Sequence, residues 1–348
     1  MKIKVIVNPK AGKRTTQRQL ERIMGQLLMS GLADRVDLTR TEARGHATQV
    51  TAALAPGEYD LIIACGGDGT INEVLNGLMS SGSGIPLAIL AAGTSNDFAF
   101  ALRLPDTAEG FCKMVRAANY RQVDIGCANG RYFINAAAFG MFTEVAHGTD
   151  QRSKNSLGKL AYYLQAIREA PEQLGSSMPL IVSSAEYTNC GEYHVCLVVN
   201  SMSVASIRRL MYKADVSDGV FDVLLMKKKK PLREAGSLVR VIQKSGERFF
   251  QLRPGDRPAP ALGERPPFPL LGGLREQLIT EGMDPDPAFV YFQTSRIEFR
   301  TLGSQEIVTD VDGELFGRLP LTIEVAPRAV RLLTPPEEEA PPPMLRLP

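Results

Sequence analysis

The stretch Tyr59-Asp60-Leu61-Ile62-Ile63-Ala64-Cys65-Gly66-Gly67-Asp68-Gly69-Thr70-Ile71-Asn72-Glu73 runs from an apolar segment through a glycine turn into a helical pattern. A second segment repeats the design, with Ile85-Pro86-Leu87-Ala88-Ile89-Leu90 leading through Ala91-Ala92-Gly93 into Thr94-Ser95-Asn96-Asp97. Short unbroken apolar runs that feed helices read as strands buried in a parallel sheet. Working outward, the chain opens with a strand that ends at Asn8-Pro9, and Lys10-Ala11-Gly12-Lys13 leads into a helix from about Thr16 to Ser30. Asp34 to Thr39 reads as a short strand and Gly45 to Ala55 as a helix. Such alternation predicts an α/β domain whose parallel sheet is covered on both faces, with ligands at the carboxyl ends of the strands.

Each glycine turn is followed by a threonine with an acid three residues later, Thr70/Glu73 and Thr94/Asp97, which is the pattern of a capping box. A helix N-terminus presents N–H groups and a partial positive charge, and so suits a phosphate. Asp68 within the first turn would repel phosphate unless a cation bridged them, and Mg²⁺ is held by one or two carboxylates plus phosphate oxygens. The paired turns therefore point to a nucleotide with Mg²⁺. Ordinary helix capping is the competing reading for either turn alone.

At 348 residues, 44% of them apolar and 22% charged, the chain is long enough for two domains with their own cores. A net charge of +2 gives no argument for nucleic acid, and the basic residues are not interleaved with aromatics. The cysteines, Cys65, Cys112, Cys127, Cys190 and Cys196, are odd in number and form no CxxC pair, so neither zinc nor a disulfide framework is indicated, and a reduced cytoplasm is expected. The N-terminal apolar run is too short for a signal peptide, and no stretch reaches the roughly 18 to 20 apolar residues of a membrane span. Membrane contact is expected to be peripheral.

From about Val123 the texture becomes strand-like. Candidate strands are Arg131 to Ala136, Pro179 to Tyr187, His194 to Asn200, Val220 to Met226, Phe289 to Phe292, Arg296 to Arg300, Glu306 to Val311 and Leu319 to Val325. Turn signals between them predict a mostly antiparallel β domain, interrupted by a helix from Leu157 to Glu169. Residues 253–269 hold six prolines and read as a surface loop or disordered insertion, and the acidic, proline-rich tail 335–348 reads as disordered.

Asn8-Pro9 with Gly12-Lys13, the Gly66 to Glu73 turn continuing Val74-Leu75-Asn76-Gly77-Leu78, Gly93-Thr94-Ser95-Asn96-Asp97-Phe98-Ala99, and the distant Asp312-Gly313-Glu314 together resemble the soluble bacterial diacylglycerol kinase family. That family also includes phosphatidylglycerol and sphingosine kinases. The similarity runs from residue 1 to about 330. The resemblance implies a three-layer α/β nucleotide-binding domain over residues 1–126, completed by 326–334, and a mostly antiparallel β-sandwich lipid domain over 127–325.

Carried over by position, the resemblance implies ATP contacts from Asn8, Pro9, Lys10, Ala11 and Gly12, from Thr41, from Gly66, Gly67, Asp68, Gly69, Thr70, Ile71, Asn72 and Glu73, and from Thr94. Asp97, with Asp68 in support, would hold the catalytic Mg²⁺, and Lys13 and Asp124 would belong to the surrounding charge network. A second, structural Mg²⁺ would use the Asp218 carboxylate and the main-chain carbonyls of Asp215 and Val220. Glu314 matches the catalytic glutamate. Ser203-Val204-Ala205-Ser206 and Tyr212 depart from the family pattern ahead of that second metal, and the proline-rich insertion has no counterpart in it.

The reaction so implied moves the γ-phosphoryl group of ATP to a lipid hydroxyl. It asks for positioning and charge neutralisation, with Glu314 as general base. Diacylglycerol to phosphatidate is the first reading. Phosphatidylglycerol or a sphingoid base, a soluble NAD kinase, and a non-catalytic lipid-binding regulator remain alternatives. Glu314 and Asp218-Gly219 also read as plain turns, and Lys13 as a solvated loop charge. His46 reads as structural or solvated. The run Lys227-Lys228-Lys229-Lys230, with Arg208 and Arg209, would attract an anionic membrane by about 1 kcal/mol per residue, or is a solvated loop. A homodimer is compatible with the sequence, although no residue argues for it.

Overall fold

The computed structural model describes residues 1–12, 14–140, 177–203, 214–228 and 289–336. They form two compact units, the first made of Met1–Asn135, Val216–Gly219 and the chain from Val325, the second of Ala136–Asp215 and Val220–Glu324. Lys13, the helix expected at 157–169, the departures at 204–206 and 212, Arg208, Arg209, Lys229, Lys230, the insertion 253–269 and the tail from 337 lie outside the described residues.

The first unit alternates strands and helices: β1 (Lys2–Val7), α1 (Arg14–Met29), β2 (Arg35–Arg40), α2 (His46–Ala52), β3 (Leu61–Gly66), α3 (Asp68–Ser81), β4 (Leu87–Ala91), α4 (Asp97–Ala101), α5 (Ala108–Ala117), β5 (Tyr120–Ala128) and β6 (Arg131–Phe133). The parallel order is β4-β3-β1-β2. Every residue of β3 is buried, as its unbroken apolar run requires.

Successive side chains of this sheet enter different cores. Ile62 and Ala64 pack with Ile71, Val74 and Leu75 of α3 and with Phe98 of α4, while Leu61, Ile63 and Cys65 pack with Leu20, Ile23 and Leu27 of α1 and with Phe111 and Met114 of α5. The result is the three-layer α/β arrangement expected. Helix α5 was not foreseen; it follows Pro105-Asp106, and Thr107 caps it by accepting a hydrogen bond from the Gly110 N–H at 3.1 Å.

Helices α2 and α3 meet at Gly77. A Cβ there would overlap the Thr51 hydroxyl and come within 2.5 Å of the Thr48 carbonyl oxygen. Alanine normally gains about 1 kcal/mol over glycine within a helix. Here overpacking reverses the sign, and Gly77→Ala is expected to destabilise the protein by about 1–3 kcal/mol, read as a lower thermal midpoint.

The second unit is antiparallel in all its pairings among the described residues. Its strands are β7 (Ala136–Gly140), β8 (Met178–Ser183), β9 (Thr188–Val199), β10 (Phe221–Lys227), β11 (Phe289–Thr294), β12 (Arg296–Thr301), β13 (Val308–Val311), β14 (Glu314–Arg318) and the first part of β15 (Leu321–Leu333). The order is β14-β13-β7-β9-β8-β12-β15, with β10 on β9 and β11 on β10. Phe139 and Phe299, both fully buried, meet edge to face at 4.8 Å. From Val325 onward β15 belongs to the first unit, where Leu332 lies in register with Leu87 of β4. No helix among the described residues is long and apolar enough to cross a membrane.

Candidate active site

Parallel strands turn the carboxyl ends of β1, β2, β3 and β4 to one edge of the sheet, and the residues that leave those ends are the ones expected to meet a nucleotide. Asn8 follows β1, its N–H donating to Cys65 O at 3.0 Å and its side-chain amide to Thr70 Oγ1 at 3.1 Å. Asn8 Oδ1 accepts from the Lys10 N–H at 3.0 Å, which shapes the turn that runs on through Pro9 and Ala11. Thr41 follows β2 and donates its N–H to Val7 O at 2.9 Å. Gly12, at φ +79, has no room for a side chain, since a Cβ would lie 3.0 Å from Ala92 O and 2.6 Å from Thr16 Oγ1.

The two glycine turns touch. A Cβ on Gly93 would stand 2.6 Å from the Gly67 Cα, and Ala92 donates its N–H to Gly66 O at 2.8 Å. Side chains are excluded where Gly67 and Gly93 face one another, so backbone lines the approach. Helix α3 starts at Asp68 behind an extended Gly67 with no side-chain cap, and Gly69, in its first turn, is exposed. Its first turn offers N–H groups and the positive end of the helix dipole.

Both capping-box expectations are corrected. Thr70 is two residues inside α3 and its hydroxyl accepts from Asn8. Glu73 turns away to the start of α2, where Oε1 accepts from the Gly45 N–H at 2.8 Å and Oε2 from the Ala47 N–H at 3.2 Å. Ile71 is core, and the Asn72 amide donates to Tyr132 O at 3.1 Å. Glu73→Ala is expected to cost about 1–2 kcal/mol by uncapping α2, measured by urea unfolding.

At the second turn Asn96, in the left-handed region at φ 50, is the N-cap of α4. Its Oδ1 accepts from the Gly93 N–H at 2.8 Å and its Nδ2 donates to Gly93 O at 3.0 Å, which closes the turn on itself. Thr94 is left exposed on this turn, and Asp97 is the first helical residue, buried at 5% exposure. Cys65, next to the first turn, is no nucleophile, because burial pushes its thiol up to about 12.

Asp124 on β5 is 1% exposed and binds backbone from two distant segments. Its Oδ2 accepts from the Gly219 N–H at 2.7 Å and its Oδ1 from the Arg328 N–H at 2.7 Å, while its own N–H donates to Val216 O at 2.6 Å. Arg121 adds a guanidinium bond to Ser217 Oγ at 2.5 Å. The 216–219 turn is thereby fixed within the first unit. Asp218 on this turn is exposed, as is the nearby Asp215, while Val220 is half-buried.

In the second unit Glu314 opens β14. Asp312 (φ 53) and Gly313 (φ 82) both take left-handed backbone between the paired Val311 and Glu314, the geometry of a type I′ hairpin. Asp312 grips β7 twice, through its N–H to Ala136 O at 2.9 Å and through Oδ1 from the Ala136 N–H at 3.0 Å. Glu314 is half-buried.

No group of three or more His, Cys, Asp or Glu side chains among the described residues is placed to hold a metal. The donors are nevertheless of the right kind for Mg²⁺. Asp68 and Asp97 bring hard carboxylate oxygens to the two glycine turns, and Mg²⁺ takes one or two carboxylates and completes its shell with phosphate and water. The residues that reading the sequence missed, Asn96 as a cap and Asp310 and Asp312 as turn clamps, carry no periodicity. Asp312 stands beside Gly313, which marked its turn; Asn96 and Asp310 have no glycine neighbour.

Residues 2–128 match the diacylglycerol kinase catalytic domain. A diacylglycerol kinase of Bacillus subtilis (strain 168) is 34% identical over 227 residues, 65% of this chain and 73% of the relative. Another, from Staphylococcus haemolyticus (strain JCSC1435), is 34% identical over 239 residues, 68% of this chain and 70% of the relative. A crystal structure from Bacillus anthracis str. Sterne superposes with a TM-score of 0.73 at 25% identity, covering 96% of this chain and 97% of that one. With identity at this level over more than two thirds of the Bacillus subtilis and Staphylococcus haemolyticus proteins, this chain belongs to the diacylglycerol kinase family and is a kinase phosphotransferase.

Proposed function

We propose that the protein transfers the γ-phosphoryl group of ATP to the free hydroxyl of diacylglycerol, producing phosphatidate. The observation that carries this reading is the close approach of Gly67 to Gly93 at the carboxyl edge of a parallel sheet, which leaves backbone N–H groups and a helix N-terminus to receive a polyphosphate. The relatives named diacylglycerol kinase supply the acceptor.

In this reading the Asn8–Gly12 turn, Thr41, the Gly66–Thr70 turn and Thr94 hold the nucleotide, and Lys13 adds a charge to the phosphates. Asp97 and Asp68 hold Mg²⁺, which supplies charge neutralisation when bound. Asp218, with the carbonyls of Asp215 and Val220, holds the structural Mg²⁺. Glu314 accepts the proton of the lipid hydroxyl. The protein works at an anionic membrane surface in the cytoplasm, with the lysines after β10 contributing attraction. Lys228 already has an interaction on the protein itself, donating to Ser177 Oγ at 3.1 Å.

The test is transfer of label from γ-labelled ATP with Mg²⁺ to a panel of diacylglycerol, phosphatidylglycerol and sphingosine in mixed micelles, with NAD alongside. Labelled phosphatidate, lost in Asp97→Ala and Glu314→Gln, is the expected result. Label in another lipid reassigns the acceptor, label in NAD alone moves the reaction to the dinucleotide, and no label in any of them leaves a lipid-binding regulator.

A further inference from the structure

We propose that Asp310 is a positioning residue for Glu314, holding the β13–β14 turn in the geometry that aims the carboxylate at its proton. This rests on the reading of Glu314 as the general base. The hairpin needs such a device, because β14 is the terminal strand of its sheet and pairs with β13 alone among the described residues. Its residues are exposed or half-buried throughout, so apolar burial does little to fix it.

Asp310 reaches across the turn, its Oδ1 accepting from the Gly313 N–H at 2.8 Å. Asp310 follows fully buried Thr309 and precedes fully buried Val311 in β13, and is itself 9% exposed. A carboxylate that deep is costly unless hydrogen-bonded, and a bond to the amide one residue before Glu314 gives it a local task.

The ladder supports the same task. Thr309 pairs with Gly317 but Asp310 pairs with Leu315, so Phe316 is an extra residue and β14 bulges beside the turn. The Thr309 hydroxyl donates to Gly317 O at 3.2 Å on the far side of the bulge. Bulges bend a strand and re-aim its side chains. With Asp312 pinned to Ala136, the bulge and the Asp310 bond fix the direction in which Glu314 leaves the hairpin.

The experiment compares Asp310→Ala, Asp310→Asn and Glu314→Gln in the diacylglycerol assay, with amide exchange at Gly313 as a second readout. Asparagine keeps an oxygen for the Gly313 N–H and alanine does not. Asp310→Ala is expected to lower kcat about 10- to 100-fold with KM for ATP unchanged, and to speed Gly313 exchange, as a displaced catalytic group would. Asp310→Asn should restore kcat to within about threefold and return exchange to normal. A normal kcat in Asp310→Ala, or a folded Asp310→Asn as slow as the alanine variant, overturns the positioning role even where Glu314→Gln is inactive. Should Asp310→Ala fail to fold, the asparagine arm decides by itself. Full activity in Glu314→Gln removes the base role, and the positioning proposal falls with it.

Discussion

Glu314→Gln is expected to lower kcat about 10²- to 10⁴-fold, the usual contribution of a positioned general base and the role proposed for Glu314, with little change in KM for ATP. Glutamine matches glutamate in shape and occupies the same half-buried start of β14, so the Asp312-Gly313 turn and its clamps to Asp310 and Ala136 persist. What is lost is the capacity to accept a proton. Phosphoryl transfer asks for little other covalent chemistry, so the effect should fall on turnover and leave the thermal midpoint within about 1 °C, as an isosteric substitution with a small ΔΔG would. A variant that loses activity by unfolding would not meet this expectation, and steady-state kinetics beside a melting curve separates the two.

The second large effect is on stability. Asp124→Ala removes the acceptor of two backbone N–H groups, Gly219 and Arg328, at a site 1% exposed. Both bonds run to a charged carboxylate, but Gly219 is half-buried and Arg328 exposed, so water can replace part of what is lost and a cost on the order of 2–4 kcal/mol is expected. That is a large share of the roughly 5–15 kcal/mol available to a domain. Arg328 aggravates it, because a non-glycine residue at φ 50 is strained and the bond to Asp124 helps to hold it there. Asparagine should recover only part, since one of its two side-chain groups is itself a donor. The urea midpoint reports the loss, and an unchanged m-value shows that the unfolding transition is the same.

The first unit was legible because its central strands, β3 and β4, are covered on both faces. A strand such as β3 must then be apolar at every position, and that continuous run shows in the sequence without knowledge of partners. Helix α1, expected from Thr16 to Ser30, spans Arg14–Met29, with Leu20, Ile23 and Leu27 on its buried face. The Asp312-Gly313 hairpin was legible for a different reason, since few pairs of residues tolerate two consecutive left-handed positions.

What stayed hidden depended on contacts between segments far apart in the chain. The capping-box pattern at Thr70/Glu73 fits the local rule, but close packing of Gly67 on Gly93 starts α3 earlier, and Glu73 then finds the N-terminus of α2 within reach. At Thr94/Asp97 the left-handed Asn96 moves the helix start in the opposite direction, so Asp97 becomes the first helical residue and is buried. Strand β14 escaped notice because an outer strand with exposed side chains has no apolar face to announce it. The double grip of Asp124 joins it to segments 95 and 204 residues further along the chain, and local sequence carries no trace of such a bond.

The central claim is that the turns leaving β1, β3 and β4 grip the phosphates of a nucleotide. The most direct measurement is titration of the ¹⁵N-labelled protein with a non-hydrolysable ATP analogue and Mg²⁺, following backbone amides. Saturable shifts centred on Gly67, Gly69, Gly93 and Thr94 are predicted. Saturation with these amides unmoved, or no binding at millimolar nucleotide, would contradict the account.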